Sequence, residues 1–145
     1  MIALLQRVTS ANVVVDNNKV AEIDAGILAF IGIEKSDEHS HGERLLQRVL
    51  GYRIFPDDQG KMNLGLKDIQ GGLLLVPQFT LAADTQKGMR PSFSSAAPPE
   101  IGRDRFETFC SLAEQAYPNV QKGIFSADMK VSLVNDGPVT FWLTV

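Results

Sequence analysis

Gln78, Phe79, Thr80 and Asp84 bring an amide, an aromatic ring, a hydroxyl and a carboxylate into one short segment, Pro77-Gln78-Phe79-Thr80-Leu81-Ala82-Ala83-Asp84. A threonine hydroxyl attacks a carbonyl well only when a base takes its proton, and no histidine lies near Thr80 in the sequence. The two histidines, His39 and His41, fall on the polar start of a predicted helix. Their His-x-His spacing suits a metal, yet no carboxylate or cysteine cluster supports one, so a structural or solvent-facing pair is expected. Cys110 is the sole cysteine and falls on or beside the apolar stripe of a second predicted helix, where it reads as core. Neither a Ser-His-Asp nor a Cys-His arrangement is supported. From the residues alone, Thr80 is a strand residue with a satisfied hydroxyl, and Asp84 a strand-end cap or a partner for a nearby cation. A second segment, Asn135-Asp136-Gly137-Pro138-Val139-Thr140-Phe141, reads as a turn, with Gly free to take positive φ and Pro fixing its own.

The elements that must position these residues follow from periodicity. Ile2 to Val8 and Asn12 to Asp16 read as strands, with Asn17-Asn18 as a hairpin turn and Val20 to Ile23 returning. Gly26 to Glu34 is a long apolar run, expected as a central strand buried on both faces. Ser36 or Asp37 offers a helix N-cap, and Leu45, Leu46, Val49 and Leu50 then recur at helical spacing. Phe55 to Gly60 is rich in turn residues, and Leu73 to Val76 is a buried strand running into the first segment. Lys87 to Pro99 reads as an irregular loop. Pro99 suits the first turn of a helix whose apolar face is Ile101, Phe106, Phe109, Leu112, Ala113 and Ala116, closed by Pro118. Val131 to Val134 and Val139 to Val145 are strands flanking the Asn-Asp-Gly-Pro turn. The expected fold class is α+β. It is a single domain over 1–145 with a mixed or antiparallel, barrel-like sheet of about seven strands and two main helices.

Composition narrows the function. A chain of 145 residues with 44% hydrophobic and 21% charged content has enough apolar residues for one packed core. One cysteine excludes an internal disulfide framework and suits a reducing compartment. There is no basic stretch followed by a leader-like apolar core, and no apolar run approaches the roughly 20 residues of a membrane helix. The expectation is a cytoplasmic protein with no membrane partner. A net charge of −3 argues against broad nucleic-acid binding, which needs many cations against phosphate, but not against gripping one RNA end.

The two segments together resemble the signature motifs of the D-aminoacyl-tRNA deacylases. The similarity runs from Met1-Ile2-Ala3-Leu4-Leu5-Gln6-Arg7-Val8 to Phe141-Trp142-Leu143-Thr144-Val145. The resemblance implies hydrolysis of the ester joining a D-amino acid, or glycine mischarged on tRNA(Ala), to the 3′ end of tRNA, with neither metal nor organic cofactor. It implies that Gln78, Phe79 and Thr80 line the pocket. Backbone amides at Phe79 and Thr80 would hold the substrate carbonyl, Phe79 would give an apolar wall and Gln78 a polar tether. It implies a cis Gly137-Pro138 that enters the active site of a second subunit of a homodimer and excludes L side chains, with Arg7 holding that motif through backbone carbonyls. The 2′-hydroxyl of the terminal ribose would take part in the reaction. Met129, in Phe125-Ser126-Ala127-Asp128-Met129, matches a stretch near the terminal adenosine, with core packing as the alternative. Arg90 matches a stretch near the RNA, with a solvated loop arginine as the alternative. The family motif usually has Ser where this chain has Pro77, so a serine hydroxyl and one backbone N–H are absent there. Two other readings stand beside this one: a small-ester hydrolase using Thr80, and a non-catalytic RNA- or protein-binding module.

Overall fold

The computed structural model describes residues 1–145. In chain order the elements are β1 (Ile2–Val15), β2 (Asn18–Ile23), β3 (Gly26–Gly32), α1 (His39–Gly51), β4 (Phe55–Pro56), β5 (Met62–Leu64), α2 (Leu66–Ile69), β6 (Gly72–Pro77), a 3-10 turn (Phe79–Ala82), α3 (Pro99–Ala116), β7 (Val120–Lys122) and β8 (Lys130–Thr144). The fold is α+β. A mixed six-stranded sheet runs β2-β1-β3-β6-β7, with β8 along the far edge of β1, and curls toward a barrel. Strands β3, β6 and β7 are mutually parallel, whereas β1 is antiparallel to β2, β3 and β8. No helix is long and apolar enough to cross a membrane.

Each long strand feeds two cores because successive side chains alternate between faces. Ala3 and Leu5 of β1, Ile27, Ala29 and Ile31 of β3, and Leu73 and Leu75 of β6 meet helices α1 and α3. Leu28, Leu74 and Val76 point the other way and pack with Val8, Ala11 and Val13 inside the curl. Strands β3 and β6 are thus covered on both sides, as their unbroken apolar runs predict. Helix α1 buries Leu45, Leu46, Val49 and Leu50. Helix α3 buries Gly102, Phe106, Phe109, Cys110 and Ala113, while Ile101 and Ala116 are exposed, so its apolar face is rotated from the expected one.

Several expectations are corrected. The two predicted N-terminal strands are one, β1, because Ser10 pairs with Val134 and the extended chain runs on through an unpaired Thr9 at a register shift. Asp16 and Asn17, at φ 48° and 63°, make the hairpin turn, and Asn18 opens β2 opposite Val15. That is the two-residue turn with both central φ positive, which Asp and Asn tolerate. Glu38 is the N-cap of α1. Asp37 is instead buried, accepting the Glu34 N–H at 2.7 Å and facing the Met1 ammonium. The turn-rich stretch after Phe55 is a small hairpin, β4–β5. The Asp57 carboxylate shapes it by accepting the Gln59 and Lys61 N–H groups and the Asn63 amide. Those bonds, led by the one from Asn63, hold the Asp57 carboxyl below its ordinary pKa. Short α2 and β7 have too few residues to show a period.

The largest correction concerns the two chemical segments. Thr80 lies in the 3-10 turn, not in a strand, because Pro77 ends β6. Asn135 to Val139 does not reverse the chain. Strand β8 continues past it, pairing Asn135 with Val8 and Thr140 with Gln6, so residues 136–139 bulge out opposite the single residue Arg7.

Candidate active site

The parallel strands β3 and β6 end at the same level, and a cavity of about 490 Å³ opens there. Ligands in open α/β sheets commonly sit beyond the carboxyl ends of such strands. Ile31, Ile33, Val76 and Pro77 supply its floor, Gln78 and Phe79 one side, Ala97, Pro99 and Gly102 at the start of α3 another. The β7–β8 connection closes it with Phe125, Ser126, Ala127, Met129 and Val131. Most of the lining is apolar, with Gln78 and Ser126 as polar side chains.

Gly123 lets Met129 seat here: a Cβ at that position would lie 2.8 Å from the Met129 sulfur. Gly102 does the same for Phe125, whose Cζ would be 3.2 Å from an added Cβ. Of the readings of Met129, the structure therefore has it on a cavity wall, while also packed against the inner core.

The 3-10 turn carries the strongest chemical feature. Gln78 donates its backbone N–H to the Ile31 carbonyl at 2.7 Å, and Leu81 and Ala83 donate to Gln78 and Thr80. The N–H groups of Phe79 and Thr80 have no backbone acceptor, as the first residues of a helical turn must. Two adjacent amides thus stand free at the cavity edge. The Phe79 ring is 58% exposed and tilts against Phe93, with centroids 5.1 Å apart. Thr80 is exposed beside the cavity rather than in its lining, and its Oγ1 accepts a hydrogen bond from the Gln78 side-chain amide. An amide donor cannot take the Thr80 proton, so nothing bonded to Thr80 activates it as a nucleophile.

Other candidates are placed elsewhere. His41 Nδ1 accepts the Glu38 N–H at 2.8 Å and His39 faces Glu43, so both histidines serve the start of α1. No third ligating side chain joins them. Burial pushes the Cys110 thiol up to about 12, leaving it protonated at neutral pH. Asp84 accepts the Gln86 N–H at 2.9 Å and forms no ion pair, which makes it a cap. Arg90 is exposed on its loop.

Arg7, Gly137 and Pro138 do not line this cavity. The Arg7 side chain is only 12% exposed, and its Nε donates to the Asp136 carbonyl and its Nη1 to the Ile54 carbonyl, both at 2.8 Å. Asn135 closes the neck of the bulge. Its Oδ1 accepts the Val139 N–H at 2.7 Å and its Nδ2 donates to the Val139 carbonyl at 3.1 Å, replacing the missing strand partner. Gly137 at φ 149° and a cis bond to Pro138 shape the tip, and both residues are exposed. The role of Asn135 was hidden in the sequence because Asn before Asp-Gly reads as turn chemistry. Among the cavity residues Gly102 gave no signal in the sequence, and Phe125 gave one only as the first residue of the stretch that resembles the family near the terminal adenosine.

The family model described as D-Tyr-tRNA(Tyr) deacylase matches residues 4–144. A D-aminoacyl-tRNA deacylase of Thioalkalivibrio sulfidiphilus is 59% identical over all of this chain and 97% of its own. One from Francisella tularensis subsp. novicida is 58% identical over 97% of each chain. A solved structure titled c-Myc DNA Unwinding Element Binding Protein is 34% identical, with a TM-score of 0.95 over 100% of this chain and 99% of its own. Another, titled as a probable eukaryotic D-amino acid tRNA deacylase, superposes at 0.88 over 99% and 98% with 16% identity, and shares the fold. With matches over essentially its whole length, the chain belongs to the D-Tyr-tRNA(Tyr) deacylase family, hydrolases that act on the ester bond of D-aminoacyl-tRNA.

Proposed function

We propose that this deacylase works as a homodimer in which the Gly137-Pro138 tip of one subunit enters the cavity of the other, and that it clears both D-aminoacyl-tRNA and glycine mischarged on tRNA(Ala). The observation that carries the chemical half is the pair of free N–H groups at Phe79 and Thr80, beside a hydroxyl with no base. Water attacks the ester carbonyl with help from the 2′-hydroxyl of the terminal ribose. The oxyanion that forms takes hydrogen bonds from the two amides. The bond to the ribose oxygen then breaks, and that oxygen takes a proton. Fixed donors aimed at a developing charge need no reorganisation during reaction and are worth about 3–4 kcal/mol each. An activated ester needs little more than this and correct positioning.

The dimer half rests on the tip. Gly137 and Pro138 are exposed, away from their own cavity, and yet fixed by Arg7 and Asn135. A rigid backbone tip suits exclusion of a Cβ-bearing group: an L side chain would run into it, a D side chain points away, and glycine has none to exclude. The terminal adenosine lies against Phe125 and Met129, and Gln78 tethers the aminoacyl end.

The test is deacylation of matched D-Tyr-tRNA, L-Tyr-tRNA and Gly-tRNA(Ala), with the oligomeric state measured alongside. Loss of the D and glycyl esters with the L ester spared, by a dimer, is the expected result. Equal loss of D and L removes the exclusion argument. Comparable activity on free D-amino acid esters favours the small-ester hydrolase, and binding without turnover favours the binding module. The structural relative titled as binding a DNA unwinding element raises DNA binding as a second reading. A net charge of −3 counts against it, since the salt-dependent part of such binding comes from neutralised phosphates.

A further inference from the structure

Arg103 lies one residue after Gly102 on α3, with its guanidinium 5.2 Å from the centroid of the Phe125 ring. Phe125 is a cavity wall, and Gly102 lets that ring approach the helix closely. Three of the other six arginines serve the fold: Arg7, Arg48 and Arg105 each donate to backbone carbonyls. Arg103 is exposed and makes neither hydrogen bond nor ion pair, although Glu100 and Glu107 lie one turn to either side on the same helix. Of the arginines without such partners, only Arg103 stacks on an aromatic ring. Stacking uses the face of the guanidinium and leaves its five in-plane N–H donors free, the arrangement that suits a phosphate.

We propose that Arg103 binds the phosphodiester that joins the terminal adenosine to the preceding nucleotide, with Phe125 as the platform that fixes the guanidinium at the cavity mouth. This rests on the reading that the cavity takes the terminal nucleoside. If an ester-bearing nucleoside fills the cavity against Phe125, the next group along the RNA is an anion that must leave by the mouth. A cation held on the wall residue meets it there. Arg103 is then a binding residue that separates a tRNA end from a free aminoacyl nucleoside, and it accounts for RNA recognition by a chain of net negative charge.

The test compares two small substrates, 3′-O-(D-tyrosyl)adenosine with and without a 5′-phosphate. The unsubstituted protein is expected to prefer the phosphorylated ester by about tenfold in kcat/KM, mainly through KM, as one charge-assisted contact allows. In Arg103→Ala that preference collapses to about twofold or less, and Arg103→Lys keeps part of it. On D-Tyr-tRNA, the slope of log(kcat/KM) against log salt becomes shallower by about 0.7 in Arg103→Ala, the value for one single-strand phosphate. A preference that survives in Arg103→Ala overturns the proposal. So does an equal loss on both esters, which would make Arg103 a support for Phe125 alone. If the unsubstituted protein hydrolyses neither ester nor D-Tyr-tRNA, the underlying reading fails and this one falls with it.

Discussion

Replacing Gly137 by alanine tests the tip of the β8 bulge directly. A Cβ there would stand 2.6 Å from Val139 Cγ2, 2.9 Å from the Val139 nitrogen and 3.2 Å from Arg7 Nη2. The last two of these neighbours are held in place. The Val139 N–H is held by Asn135, and Arg7 is held by the Ile54 and Asp136 carbonyls. The backbone at φ 149° is also glycine territory, and an L side chain there costs about 1–3 kcal/mol. Crowding of this kind adds about 1–3 kcal/mol if nothing moves. The bulge is exposed, so the cheaper response is to shift the tip away from Arg7 and give up the bond to the Asp136 carbonyl. That bond lies in solvent, and losing it costs about 1 kcal/mol. With the strain at Gly137 and the lost bond together, Gly137→Ala should therefore lower stability by about 2–4 kcal/mol, roughly 5–15 °C in melting temperature for a chain of this size. The displaced tip should matter far more to selectivity. The ratio of kcat/KM for D-Tyr-tRNA to that for L-Tyr-tRNA is expected to fall at least about tenfold, since misplacement of about an ångström costs on the order of a hundredfold in a positioned site. The assay pairs thermal unfolding with deacylation of both esters. A folded variant with unchanged rate and unchanged D/L ratio would refute the reasoning.

Arg7→Lys keeps the charge but cannot hold the Asp136 and Ile54 carbonyls together, because a single ammonium replaces a planar fork. It should lose about 1–2 kcal/mol of stability and show the same loss of D/L selectivity; full selectivity would detach Arg7 from the tip. Thr80→Ala removes only the acceptor of the Gln78 amide, so kcat/KM should stay within about tenfold of the parent. A drop of about a thousandfold with fold and binding intact would instead make Thr80 the nucleophile. The buried Cys110 thiol has a folded pKa raised from 9.0 to about 12, so its contribution is fully present below pH 9 and is lost as pH rises from 9 to 12. Tyr117, raised by burial, and Lys122, raised by its hydrogen bond to Glu114, shift the same way. The difference in melting temperature between the parent and Cys110→Ala across that pH range isolates the thiol, and equal slopes would argue against it.

Where local forces dominate, residue order was enough to set the outcome. The unbroken apolar runs of β3 and β6 can be satisfied only by cover on both faces, and the i, i+4 spacing of Leu45, Leu46, Val49 and Leu50 by a helix lying on a core. Pro99 at the first turn of α3 and the Asp16-Asn17 hairpin follow from backbone preference, with a one-residue shift in the hairpin. The residue types at Gln78, Phe79, Thr80, Gly137 and Pro138 were enough to mark both chemical segments through family resemblance. Where those segments sit and what they bond to came from long-range packing. Whether Asn135 to Val139 reverses the chain depends on whether β1 offers a partner on both sides of it, and Gln6 and Val8, more than a hundred residues away in sequence, supply that partner. The free amides at Phe79 and Thr80 exist because Pro77 ends β6 against β3 and the chain turns at once into a 3-10 helix. The cavity wall needs Gly102 and Gly123, from α3 and the β7–β8 connection, to let Phe125 and Met129 close in. Such contacts join residues with no sequence relation to one another, so no periodicity encodes them, and only the packed chain brings them together.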